Sequence, residues 1–288
     1  MFTTWRYTLS SLRGQVIGWG LGVAALGLIL IPFYDVFMDQ QQDFLQMIEN
    51  YPPEFLAFFG GDAAAIATPE GYLGMYGFSL LPIILGIFAV IVGSGLLAGD
   101  EESGRLDLIV AHPVSRAGLF WGRLLAFLAA SLGILALGWL GFSILLAGSS
   151  LDVSWGQMAL PFMPLLAQTL IYGAIALLLS LLLPSRRMAA AGAGIVLVAS
   201  YFLTSMASLN ESLGTAAQFL PYDYFQGGDA LTGIDWASFL GLLGVTALLA
   251  IVAWWRFETR DIRVAGEGGW RLPALGRLRR LREPSRGA

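Results

Sequence analysis

The chain alternates long uncharged apolar runs with short charged connectors. Crossing a bilayer as a helix takes about 20 mainly apolar residues, and six runs reach that length: about 15–37, 74–98, 119–147, 158–183, 188–209 and 236–256. Lipid leaves backbone groups no water to bond, so spans must be helices or closed barrels, and runs this long predict helices. The pattern predicts an all-α membrane protein. Residues 1–256 form a single transmembrane domain, and 257–288 form a basic cytoplasmic tail. Ahead of the first run, Phe2, Trp5, Leu9 and Leu12 recur at helical spacing, with Arg6 and Arg13 able to reach headgroups. This predicts an N-terminal interfacial elbow helix over 1–13. Gly14, Gly18 and Gly22 stand four residues apart in the first span. Small residues so placed let backbones approach closely, against a neighbouring span or against a second copy. Residues 38–72 mix acids with Pro52, Pro53, Gly60 and Gly61, which predicts short broken helices along the outer leaflet. Leu220 to Gly228 is rich in tyrosine and reads as an interfacial anchor.

One connector stands apart. No residue from Gly71 to Gly99 is charged, and none from Leu124 to Leu151. Between these runs lies Gly99-Asp-Glu-Glu-Ser-Gly-Arg-Leu-Asp-Leu-Ile-Val-Ala-His-Pro-Val-Ser-Arg116. Asp100, Glu101 and Glu102 suit the positive end of a helix dipole. Leu106, Ile109 and Val110 follow at i, i+3, i+4 and make an apolar face. Pro113 stops or kinks that helix. Ser115 is placed to cap the next helix, which runs on into the third span. The coupling loop 99–118 therefore predicts a short amphipathic cytoplasmic helix held between two spans, able to pass motion from a partner into the membrane.

Charge sets the orientation. All 16 basic residues are arginine. They fall at the N-terminus, in the second-to-third and fourth-to-fifth connectors, and from Arg256 onward. The opposite connectors hold acids and no arginine. The excess of arginine on one side predicts a multi-pass protein with both termini in the cytoplasm. The tail carries arginines among leucines, and each arginine near an anionic leaflet contributes about 1 kcal/mol, which predicts lipid association rather than nucleic-acid binding.

Several classes are disfavoured. Without lysine no Gly-x-x-x-x-Gly-Lys-Ser/Thr phosphate loop exists, so the chain is not itself an ATPase of that type. The span middles carry no ionisable acid, base or histidine of the kind proton-driven transporters use. The sole histidine, His112, lies in a connector, which disfavours an intramembrane serine protease, and the absence of cysteine removes thiolate metal sites.

Glu101-Glu-Ser-Gly-Arg-Leu-Asp-Leu-Ile-Val-Ala-His-Pro-Val-Ser-Arg116 resembles the Glu-Glu-x-Gly-Thr-Leu-x-Leu-Leu-Leu-x-x-Pro-Val-Ser-Arg loop of ABC-2 type exporter permeases, the membrane subunits of ATP-binding cassette exporters. Thr68-Pro-Glu-Gly71 and Leu220-Pro-Tyr222 agree with the same pattern, while Arg105 stands where threonine is common. The resemblance implies the ABC-2, type V exporter-like fold, in a bacterial or archaeal cell membrane. It implies a homodimer joined to a separate ATPase subunit that binds ATP-Mg, with no cofactor in this chain. It also implies that Asp100, Glu101, Glu102, Arg105, His112, Pro113 and Arg116 belong to the ATPase joint, with Leu106, Leu108 and Ile109 filling its apolar part. A non-transporting immunity or assembly protein is the alternative reading, and a secondary transporter a further one.

Overall fold

In the computed structural model, residues 1–40, 68–102, 115–207 and 211–259 are described. Among the described residues ten α-helices run in chain order: α1 (Phe2–Asp39), α2 (Pro69–Tyr72), α3 (Leu81–Gly95), α4 (Ala98–Glu102), α5 (Arg116–Ser143), α6 (Trp155–Ala159), α7 (Phe162–Leu182), α8 (Arg186–Ser205), α9 (Glu211–Ala217) and α10 (Trp236–Thr259). A π-helical stretch, Leu73–Phe78, joins α2 to α3. Six segments are long and apolar enough to cross a membrane: Phe2–Asp39, Pro69–Gly95, Arg116–Gly148, Trp155–Leu182, Arg186–Ser205 and Trp236–Thr259. These coincide with the six predicted runs.

Polar residues in the connectors mark where the helices begin. The Gly118 amide donates to Ser115 Oγ at 3.1 Å, so the predicted cap of α5 forms. Ser185 receives the Met188 amide at 3.3 Å and starts α8 directly after Pro184. Thr68 receives the Gly71 amide at 3.1 Å, with Pro69 in the first turn. Ser154 and Gln157 form a reciprocal capping box on α6. Each device satisfies amides that the first helical turn leaves unpaired.

The buried face of α7 explains its place. Leu165, Ala167, Tyr172, Ala174 and Ala176 are almost wholly enclosed, and α3, α10, α8 and α5 all pack around this helix. The most extensive pairing is α1 on α5. Close approach here depends on glycine. A Cβ on Gly141 would lie 2.3 Å from Ala24 Cα, and one on Gly93 would lie 2.4 Å from the Gly173 carbonyl oxygen. Backbone touches backbone at both points, the small-residue packing typical of membrane helices.

Three expectations are revised. First, the helix of residues 1–13 runs on into the first span without a break, as part of α1. The apolar stripe of Leu9 and Leu12 turns toward the core that the first span itself covers. Second, a Cβ on Gly14, Gly18 or Gly22 would meet nothing within 4 Å, so this stripe packs against no other described span. Third, Leu220 to Gly228 is more than a surface anchor, because its middle packs into the bundle. The Tyr222 hydroxyl donates to the Ser79 carbonyl at 2.7 Å, its amide donates to Ser200 Oγ at 2.9 Å, and Gln168 Nε2 donates to the Pro221 carbonyl. This connector is seated between α3, α7 and α8. Most of the external segment 38–72 and the tail beyond Thr259 lie outside the described residues.

Candidate coupling site

Arginine-bearing helix ends gather at one end of the bundle. Arg116 Nη1 donates to the Glu258 carbonyl at 3.3 Å, which brings the start of α5 to the end of α10. A Cβ on Gly122 would lie 2.9 Å from the Met1 carbonyl, so the start of α1 lies there too. Among the described residues no arginine stands at the opposite end, where Asp35 accepts the Ser150 amide at 2.8 Å and Asp235 caps α10. The partition seen in sequence is thus a partition in space.

At the arginine end, α3 runs through Leu96 and Leu97 into α4, and Asp100 and Glu101 occupy the first turn of that short helix. All three acids turn toward the bundle. Asp100 pairs with Arg123, whose Nη1 also donates to the Leu96 carbonyl. The Arg123 side chain is 4% exposed and that of Asp100 19%. Glu101 is buried. Glu102 Oε1 accepts the Arg186 amide at 2.7 Å, and Arg186 Nη2 donates to the Ile91 carbonyl at 3.1 Å. The acidic stem therefore ties α3 and α4 to α5 through Arg123 and to α8 through Arg186.

Of the ten residues named from sequence, Asp100, Glu101, Glu102 and Arg116 are described, and the first three sit together. Arg116 stands across the bundle end against α10. Arg105, Leu106, Leu108, Ile109, His112 and Pro113 lie outside the described residues.

Two residues of this frame are absent from that set: Arg123 and Arg186. A signal for Arg123 existed. It lies two turns after Arg116, on the same helical face, as the last charge before a long apolar run, and a buried arginine demands a carboxylate partner. Arg186 had a weaker signal, standing directly after the Ser185 cap.

The arrangement is a brace. Paired charges and hydrogen bonds fix a connector's stem to three helices, so displacement of the connector is passed to all of them. Among known proteins, a family model described as ABC-2 family transporter protein matches residues 15–262. No curated protein matches the chain.

Proposed function

Because the chain belongs to the ABC-2 transporter family, a family of ABC-transporter membrane components, we propose that it is the permease of an ATP-driven exporter and couples to a separate ATPase through the loop after α4. The coupling loop 99–118 would carry the docking helix, with Leu106, Leu108 and Ile109 entering the partner's groove, Arg105 and His112 at its rim and Pro113 at its end. Asp100, Glu101 and Glu102 act one step behind it, holding the stem, while Arg116 joins the loop's far end to α10. The arginine end of the bundle faces the cytoplasm, where ATP is available, and two copies work with two ATPases in the cell membrane.

The observation that carries this reading is the bracing of the stem. A connector serving only to reverse the chain needs no buried ion pair and no bond to a second connector. Here Asp100 and Glu102 clamp it to α5 and α8, the fixed joint that transmission of force requires.

The experiment is purification with the cognate ATPase followed by ATP-dependent flux in proteoliposomes. Wild type retains the ATPase and transports. Leu106→Glu with Ile109→Glu loses the ATPase. Glu102→Gln retains the ATPase yet transports less per ATP hydrolysed. Loss of neither association nor flux in these variants refutes coupling through this loop. Flux driven by a proton gradient without ATP refutes the ATP-driven assignment.

A further inference from the structure

A cavity of about 330 Å³ opens beside the clamp, between the first four turns of α1 and the arginine end of α3. Tyr7, Thr8, Ser11 and Gln15 line it from α1, a face at spacings of one, three and four residues. Helical geometry puts these four on one side, so the first turns of α1 carry a polar face into the bundle. Opposite them stand Arg123, Asp100 and Arg186.

The charges here do not cancel. Asp100 is committed to Arg123. The Arg186 guanidinium is held by the Ile91 carbonyl and lies over Gly95, where a Cβ would come 3.0 Å from the guanidinium carbon. Among the described residues no carboxylate pairs with that guanidinium, because Glu102 takes the Arg186 backbone amide instead. The charged groups that line the cavity, Asp100, Arg123 and Arg186, thus carry a net single positive charge, with the Glu102 carboxylate behind it on the Arg186 amide, and three hydroxyl-bearing side chains share the lining. Gln15 Oε1 is buried and has no hydrogen-bond partner. A half-turn of this amide presents Nε2 in its place, since the two ends of the group are nearly isosteric. Guanidinium, hydroxyl and amide donors around one excess positive charge match a phosphate group, whose oxygens accept several hydrogen bonds at once.

We propose that this cavity binds a phosphate-bearing anion, with Arg186 as its charge and Thr8 and Gln15 as donors, the Ser11 hydroxyl being committed to the Thr8 carbonyl at 2.7 Å. Two sources share that chemistry: an anionic phospholipid headgroup entering beside α1, and a soluble phosphate. The inference stands independently of ATPase coupling. An occupied site would fasten α1 to α3 and α8 at the level of the stem.

The test uses the purified full-length protein in detergent, with lipid retention read by native mass spectrometry. Phosphatidylglycerol is titrated against phosphatidylcholine, with inorganic phosphate as competitor. Phosphatidylglycerol should bind about fivefold more tightly than phosphatidylcholine, the scale of one arginine acting on an anionic headgroup. Arg186→Gln should remove that preference, Arg186→Lys should keep part of it, and Arg187→Gln, on the exposed neighbour outside the cavity, should leave it intact. Should Arg186→Gln fail to fold, Thr8→Val with Gln15→Leu reads the same site, and an unchanged preference in that variant overturns the proposal. Displacement by inorganic phosphate supports the site and assigns it to a soluble anion; retention in excess phosphate supports it and assigns it to lipid. Equal losses for Arg186→Gln and Arg187→Gln overturn it in favour of diffuse surface charge. So does the absence of both lipid preference and phosphate binding.

Discussion

The Asp100–Arg123 pair permits a quantitative test of the clamp. Arg123→Gln removes a guanidinium that is 4% exposed and serves two acceptors, the Asp100 carboxylate and the Leu96 carbonyl. Breaking a buried ion pair by deleting one partner typically costs about 3–5 kcal/mol. Asp100 keeps about a fifth of its side-chain surface, so water screens part of the orphaned charge and the lower end, about 3 kcal/mol, applies. Asp100→Asn should cost less, about 2 kcal/mol, because the amide still accepts a hydrogen bond from the guanidinium. In the double variant two amides face each other and no charge is stranded. Its cost should stay near 3 kcal/mol, a coupling of about 2 kcal/mol against the sum of the single variants. Unfolding in mixed micelles, followed by tryptophan fluorescence, measures all three. Additive costs of about 5 kcal/mol in the double variant would refute the pairing, and a neutral Arg123→Gln would refute the burial.

Other expectations follow from packing, from the outer connector and from its acids. Gly141→Val should destabilise by about 1–3 kcal/mol or more, read in the same unfolding assay, because the new side chain meets the Ala24 backbone rather than a movable side chain. Tyr222→Phe should cost about 1 kcal/mol through the lost bond to the Ser79 carbonyl, and should speed proteolysis in the connector between α9 and α10. Hydrogen bonds from Ser238 and Ala237 hold the Asp235 carboxyl below its ordinary range. Its stabilisation is therefore present above the unfolded-state value and is lost as pH falls through the lower folded value. Thermal midpoints of Asp235→Asn and wild type should differ at neutral pH and converge in strong acid. Asp223 should behave oppositely: burial raises its carboxyl, so Asp223→Asn gives a small gain at neutral pH that vanishes on acidification through the ordinary carboxylate range.

The spans were legible because apolar length is a direct demand of lipid, and their starts were legible where Ser115 places an oxygen one turn ahead of an amide. The clamp was only half legible. The acids of the stem stood out, but their direction did not. A charge run reads the same whether it faces a partner or an internal arginine. Nothing local to Asp100 reports that Arg123, 23 residues on, turns back beneath it. The seat of Tyr222 was hidden for a related reason. Tyrosine at a span end serves equally at the headgroup level or inside the bundle, and the choice rests on Gln168 and Ser79, which sequence spacing does not bring near. Among hydroxyls within the spans, Ser131 and Thr169 bond carbonyls four residues back in their own helices. A hydroxyl next to a helical carbonyl finds that partner first.

The continuity of α1 has a mechanical consequence. From Phe2 to Ile31, ahead of Pro32, it is an unbroken rod. At about 1.5 Å per residue, these thirty residues span about 45 Å, against a hydrocarbon layer of about 30 Å. A hinged elbow would absorb a push at its N-terminal end, whereas a stiff rod swings. Tilting it by about 10° about Ala24 carries the Phe2 end sideways by about 6 Å. Its fulcrum would be where Gly141 lets Ala24 rest on bare backbone. About that fulcrum the arm to Phe2 is about 33 Å and the arm to Ile31 about 10 Å, so a push at the N-terminal end reaches the other end reversed in direction and reduced about threefold.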